Sequence, residues 1–560
     1  MSIPDFAPPR AIPDAAPPAS ADGGRAGAGP TPALPPTGRQ ALLRPAPSLA
    51  AGVRAGDLRL ADHLPHQAWS LAGLRSRSQE IGPQGGRRIE PVTRRLAEDL
   101  AAEMAARAGH SDGIAAARAL AEPDTLTVLA LLPATPLLGA LGDVLAALGA
   151  VAMAREAAAA LGRTCVPLVL IAPAGADGGS IYLVDRRGAL RRLAAGPAAG
   201  PGDARALLGE AETASGLRWP LARGLLPEHG NGVFREWNAR LATALLSPLG
   251  AVVGRLDGPA CVRAFGPLYV RLLAWGATLR AALGVSALRL RAAGYRAPLV
   301  SGEDTAFFGW RSPGRMQPVR VRDGLPLDPG GHPLTPPELA RIGREQPQRL
   351  LPDRLATYVG LNELLRLLAV VPPEADLPIL CQAGPALPHT GRGVPLVRPR
   401  PALTIVDAAT VAFARARGAA IDAGPEALRA VRDREAAASG GFDPVAAAAE
   451  LGSLTEGAWA AWRERAAGAA PGLAMRMQAE RERFLARTRR LAEDVAAHQR
   501  RRDRAVAAAW RRVLNTLYPL DRGQDEVLAA MTFLATDPER LINRVLAEPP
   551  SPVHRFVRGA

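Results

Sequence analysis

The chain contains no lysine; all 68 of its basic residues are arginine. That excludes a P-loop lysine, a Schiff base and a lysine general base. Arginine cannot replace them, because its pKa lies above about 12 and it stays protonated. It can still clamp phosphate or carboxylate through two parallel hydrogen bonds. The plain reading of the absence is codon bias, since Ala, Gly and Pro are also in excess. Cysteine is nearly absent too. Cys165, Cys261 and Cys381 show no CxxC or CxxH spacing, which excludes a disulfide scaffold and points to a reducing, cytoplasmic setting. Aromatic residues are 4% of the chain, so the core is expected to be Ala, Leu and Val. The eight histidines are scattered. His63 and His66 form an HxxH that no acidic or Cys cluster joins, and no metal site is expected. Neither GxSxG nor GxGxxG is present.

What is present fits a large soluble protein. At 560 residues the chain spans roughly three or four domain-sized pieces. Its net charge is +15, the difference of 68 basic and 53 acidic residues. The arginines are interleaved with acids, as on solvated faces, so nucleic-acid binding, through the Arg-rich helix that carries Arg481 to Arg504, is the weaker expectation. Residues 1–45 are Pro/Ala-rich and read as a disordered tail. Residues 46–123 read as a helical segment, with Val92, Leu96, Leu100 and Met104 at four-residue steps. The longest apolar run, 125–152, is interrupted by Pro133, Pro136 and Asp143, which argues against a membrane span. It reads as a strand over Thr125–Leu132, a turn, and a helix with a seam through Leu137, Leu141, Leu148 and Val151. A second strand follows at Val166–Ile171, giving a βαβ unit and hence a parallel sheet. A hairpin is expected to turn at Arg187–Gly188. Residues 196–232 read as loops, 234–292 as helices, 295–320 as β structure and 337–369 as helices. Strands are expected at Leu377–Cys381 and Pro401–Val406.

Beyond residue 424 the pattern changes. From 471 to 514 there is no Pro or Gly after Gly472, and Met477, Phe484, Leu491, His498 and Ala505 lie seven apart. That is one line of a heptad and predicts a long helix paired with another helix or a second copy. The organisation read from these signals is a tail (1–45), a helical segment (46–123), an α/β core (124–424) with an insertion around 196–330, a helical coiled-coil domain (425–517) and an extension (518–560). Two loops could contact an anion: Pro173–Gly179 after the second strand, with Asp177 in it, and the Pro-stiffened run carrying Arg392, Arg398 and Arg400.

Several segments in order resemble the cysteine-adding enzymes of bacillithiol biosynthesis, over roughly residues 90–557. They are AMAREAAAALGRTCVPLVLIAPAGAD with IYLVDRRGALRRL, AAGYRAPLVSGEDTAFFGW, PPELARIGREQPQRLLPDRLATYVG, VPLVRPRPALTIVD, and RRVLNTLYPLDRGQDEVLAAMTFL. The resemblance implies a Rossmann-like core with inserted connecting segments, a C-terminal coiled coil, a homodimer, and ligation of L-cysteine to glucosaminyl-malate, with ATP or ADP as a possible ligand. Where the family carries TGQQPG after its first strand, this chain has Ala130–Thr135. A family lysine falls on Ala146. Where the family carries SEDHD, this chain has Pro173–Asp177, and Asp177 is the one survivor. Asp353 and Thr357 replace a family Asn and Arg. Gln382, Arg398, Arg400, Tyr518 and Gln524 match, and the resemblance makes them substrate- or nucleotide-binding candidates. Ala130, Leu131, Leu132 and Ala176 cannot hydrogen-bond a substrate or move a proton. The crevice is therefore expected to be stripped of polar groups. Beside a divergent ligase, a second expectation is a catalytically inactive, dimeric binding or structural protein.

Overall fold

The computed structural model describes residues 48–64, 70–82, 90–173, 179–194, 201–228, 233–299, 305–312, 315–439, 443–535, 537–547 and 555–558. The tail 1–45 and Asp177 lie outside them. Five parallel strands form the central sheet: β1 (Leu126–Leu132), β2 (Cys165–Ile171), β3 (Val252–Arg255), β4 (Leu367–Val370) and β5 (Leu396–Val397), in the spatial order 5-4-1-2-3. β1 pairs in parallel with β2 on one side and β4 on the other. This is a doubly wound α/β arrangement, and it follows from the strands' composition. β1 is LTVLALL and every residue of it is buried. Leu129 and Leu131 belong to one apolar cluster, while Leu126, Val128, Ala130 and Leu132 belong to the other. A strand apolar on both faces needs a cover on both faces, which parallel sheets obtain from their crossover helices.

The helices that matter for function are α1 (Pro91–Ala106), α2 (Leu141–Leu161), α3 (Val233–Leu246), α4 (Pro425–Ser439), α5 (Pro444–Ala469) and α6 (Pro471–Leu517). α2 connects β1 to β2 and is apolar nearly all round, as a helix packed inside a core must be. Its buried alanines, among them Ala146, Ala147, Ala150, Ala154 and Ala157, leave room for close packing. By length and composition α2 and the helix Leu268–Ala292 could each cross a membrane, but most of α2 is buried inside this fold.

The expected hairpin is found as Ser180–Val184 against Leu190–Ala194, with Gly188 at φ 76° in its turn. The 295–320 β signal resolves into Thr305–Ser312 and Arg315–Arg322, joined by Leu325–Pro326 and Leu350–Pro352 in a separate antiparallel sheet. Three readings need correction. The loop-rich stretch 196–232 carries helices Pro201–Ser215 and Pro220–Gly224. β3 and β4 fall inside stretches that read as helical; each has only four residues, too few to show a period. Leu377–Ala383 is a helix rather than a strand, with Pro378 in its first turn, where proline is tolerated. The strand expected at Pro401–Val406 is found as Leu403–Val406; it pairs in parallel with Arg555–Arg558, outside the central sheet.

The long helix is present as α6. It packs against α5 as a hairpin: Trp459 meets Phe484 at 6.0 Å and Arg481 pairs with Glu456. Of the heptad line, Met477 and Phe484 are half-buried, whereas Leu491, His498 and Ala505 are exposed. Ala492 and Ala496 are buried instead.

Candidate functional site

Doubly wound sheets bind ligands outside the carboxyl ends of their strands, where the strand order reverses. Here that point lies between β1 and β4. After β1 the chain turns sharply: Leu137, Leu138 and Gly139 all have positive φ (58°, 66° and 75°). For the two leucines this backbone is strained. Asn238 on α3 holds the turn, accepting from the Leu138 N–H (3.1 Å) and donating to the Thr135 carbonyl (2.5 Å).

The start of α2 follows, and a guanidinium occupies it. A Cβ on Gly142 would lie 2.5 Å from Arg400 Cζ and 2.7 Å from the Asp525 carbonyl oxygen. Arg400 is 2% exposed and donates from Nη1 to Asp525 Oδ2 at 2.5 Å, with the Asp525 side chain 3% exposed. Arg400 also donates to the Pro401 carbonyl (3.1 Å) and lies 3.9 Å from Glu374, which in turn pairs with Arg54. Asp143 accepts from the Ala140 N–H at 2.9 Å. Arg354 and the Tyr358 hydroxyl both donate to Asp376, at 2.6 and 2.8 Å. The segment carrying Asp525 is stitched across the same turn: Leu141 N–H donates to the Leu528 carbonyl (2.9 Å) and Ala530 N–H to the Gly139 carbonyl (3.0 Å).

The expectation of a crevice stripped of polar groups is thus overturned. The side chains at the carboxyl end of β1 are apolar, but charge arrives from the loops, the helices and the C-terminal segment. Three guanidiniums (Arg54, Arg354, Arg400) face four carboxyls (Asp143, Glu374, Asp376, Asp525). Burial, rather than the surplus of acid, sets the proton affinities. Burial pushes Asp143 up to about 6, against the pull of Arg400 and the Ala140 hydrogen bond. Burial likewise raises Asp376 against Arg354 and Tyr358. Outside this cluster, burial pushes Asp353 up to about 6 against the backbone N–H groups it caps.

A carboxyl whose folded pKa is raised binds its proton more tightly in the folded chain. Its contribution is complete below the unfolded value and is lost as pH rises through the folded one. Asp143 therefore makes the protein lose stability between pH ~4 and ~6. Asp143→Asn should remove that part of the slope while keeping an acceptor for Ala140. Urea unfolding should find the variant more stable than the wild type at pH 7, by about 1–3 kcal/mol, with the difference shrinking at pH 4.5. An equal difference at both pH values would contradict this assignment.

The other sequence candidates have structural partners. Gln382 is fully buried: its Oε1 accepts from Leu299 N–H (2.8 Å), and its Nε2 donates to the Leu283 and Leu299 carbonyls. Gln524, also fully buried, clasps Ile405 through N–H and carbonyl (2.7 and 3.0 Å) and reaches the Thr516 carbonyl. Arg398 pairs with Glu156 of α2 at 2.7 Å. Arg392 pairs with Glu363 at 2.7 Å. Asp353 caps the helix Arg354–Leu365 through Ala356 N–H (2.7 Å), and the Thr357 hydroxyl donates to the Asp353 carbonyl. Of the five matched residues only Arg400 joins the switch-point cluster, with Gln524 next to Asp525 in sequence.

Tyr518 lies elsewhere, at the foot of the helical hairpin. It borders a cavity of about 830 Å³ between α4 and α6, whose walls include Trp510, Leu514 and Leu520 together with Arg429, Arg432 and Arg511. The Tyr518 hydroxyl donates to the Ile421 carbonyl (3.3 Å) and the Trp510 indole N–H to Glu435 (2.6 Å). The volume is that of a small-molecule site.

Sequence reasoning missed Asp143, Glu374, Asp376 and Asp525. Asp143 had a signal, as a lone carboxylate inside the longest apolar run. No protein-family model matches the chain, and no curated protein matches it.

Proposed function

We propose that this chain is a non-catalytic relative of the cysteine-adding enzymes of bacillithiol biosynthesis, acting as a binding or structural protein. The observation that carries the reading is the Arg400–Asp525 pair seated on Gly142. In a doubly wound fold the first turn of this helix is where backbone N–H groups meet a ligand's phosphate. Here the place holds the protein's own cation and its counter-ion, and the 528–530 backbone crosses the entry. The side chains that would activate a carboxylate or accept a proton at the end of β1 are apolar. A small molecule, with ATP or ADP as the first candidates, fits the cavity beside Tyr518 better. A homodimer through the α5–α6 hairpin belongs to the same proposal. That hairpin leaves Leu454, Trp462, Met475 and Leu491 exposed, and exposed apolar patches mark docking surfaces. The test is incubation of purified protein with L-cysteine, ATP and glucosaminyl-malate. No product above background is expected; turnover that scales with protein concentration would restore the ligase reading.

A further inference from the structure

A second charged cluster lies on the same edge of the sheet, two strands from β1. β3 is the edge strand and ends at Arg255; Asp257 follows two residues on. The Asp257 side chain is 1% exposed and meets three guanidiniums from three separate elements. Arg255 Nε reaches Oδ1 at 3.1 Å. Arg235 of α3 reaches Oδ2 at 2.8 Å, and Arg311, from the strand Thr305–Ser312, reaches it at 3.5 Å. Glu236 joins Arg255 to Arg107 just beyond α1, each at 3.1 Å, with Arg240 at 3.6 Å. Glu103 lies 3.5 Å from Arg107 and otherwise caps the Ala260 N–H at 2.9 Å.

The charges do not cancel. Arg107, Arg235, Arg240, Arg255 and Arg311 stand against Glu103, Glu236 and Asp257, a surplus of two guanidiniums. Arg107 is 7% exposed, and its Nη1 finds no acceptor among the described residues. Burial weakens Arg235's hold on its proton. Asp257 opposes that, while the charges of Arg255 and Arg311 reinforce it. Asp257 itself is held below the usual carboxylate range although burial alone would raise it, because Arg255, Arg235 and Arg311 together outweigh burial. Repulsion among cations fixed on a helix and two strands opposes folding. A guanidinium is also the group that recognises phosphate and carboxylate through paired planar donors.

We propose that the arginine cluster around Asp257 is a binding site for a doubly charged oxyanion, a phosphate or dicarboxylate group that bridges Arg235 and Arg311 at the carboxyl end of β3. Asp257 aligns the guanidiniums from beneath, and the ligand supplies the missing charge. The site does not depend on whether the switch-point crevice is closed or catalytic. It also shares no residue with the Arg400 cluster.

The test is thermal unfolding of the full chain in inorganic phosphate, succinate or chloride at matched ionic strength, for the wild type, Arg311→Gln and Arg235→Gln. Arg311 is about one-third exposed, so its variant should fold even if that of Arg235 does not. In the wild type, phosphate or succinate should raise the melting temperature by several degrees over chloride, since a ligand that binds only the native state stabilises it. Whichever anion acts identifies the ligand class. Arg311→Gln should lose the shift, weaken the anion's Kd tenfold or more by calorimetry, and melt in chloride at or above the wild-type temperature because a repulsive charge is gone. Equal wild-type shifts in all three salts would overturn the proposal. So would an unchanged phosphate shift in Arg311→Gln, or a lower melting temperature of that variant in chloride with no anion effect, which is the behaviour of a purely structural ion network.

Discussion

Asp525→Asn is expected to lower stability at pH 7 by about 3–5 kcal/mol, the usual cost of leaving one buried charge without its partner. Asparagine keeps the shape and one acceptor but removes the counter-charge from a guanidinium that has almost no access to water. Glu374 cannot compensate, because it lies 3.9 Å from Arg400 and already serves Arg54. The double variant Arg400→Met, Asp525→Leu should recover most of the loss, since replacing a buried pair by apolar groups of similar volume is often neutral. Urea unfolding of the wild type, Arg400→Met, Asp525→Leu and the double variant forms the cycle that isolates the pair. A loss below about 1 kcal/mol in Asp525→Asn would mean that water reaches Arg400. The crevice would then be open and the non-catalytic reading would weaken. The same variant carries a functional consequence. Arg400, left cationic at the start of α2, should attract an external anion, so ATP should stabilise Asp525→Asn more than the wild type.

The parts of this structure that could be read beforehand are those set by local periodicity. β1, β2 and the hairpin at Gly188 are long apolar or alternating runs bounded by turn residues, and they stand close to where their patterns place them. β3 and β4 could not be read that way. VVGR and LLAV lie between helices, and a run of only four residues fits either a strand or a buried helical turn. LPILC failed for the same reason in the opposite direction. Arg400 was legible because prolines flank it. Its partners were not: Asp143, Glu374 and Asp525 are far apart in sequence and meet only through the doubly wound topology. Gln382 and Gln524 illustrate the converse. Both stand out by resemblance, yet each amide is used to tie two backbone segments together, a role no sequence pattern distinguishes from ligand binding. The Asp257 cluster was invisible for a plainer reason. Among 68 arginines, three that converge look like any others until strand order brings them to one edge.

Trp510→Ala should produce the second large effect, about 3–5 kcal/mol, as for other fully buried aromatic truncations. Trp510 is buried at the foot of α6, edge-on to Phe413 at 5.3 Å, within a small cluster made with Val406, Ala414, Leu428, Val513 and Leu517. Beyond this foot α6 is largely exposed, and its partner α5 buries almost nothing apart from Pro444. The cluster is therefore the apolar contact that ties the hairpin's base to strand Leu403–Val406 and to α4. Removing the indole also takes one donor from Glu435, which Arg417 still reaches at 3.0 Å. Trp510→Phe, which keeps a ring and loses only the hydrogen bond and some area, should cost about 1 kcal/mol. The discriminating measurement is limited proteolysis within 444–505 alongside global urea unfolding. If the foot anchors the hairpin, Trp510→Ala should speed cleavage there at least tenfold under conditions where the central sheet remains folded. A second copy docked along the hairpin would hold it in place without the foot. Unchanged cleavage in Trp510→Ala, lost on dilution below the dimer's dissociation constant, would therefore move the anchor from Trp510 to the partner chain and supply direct support for the homodimer.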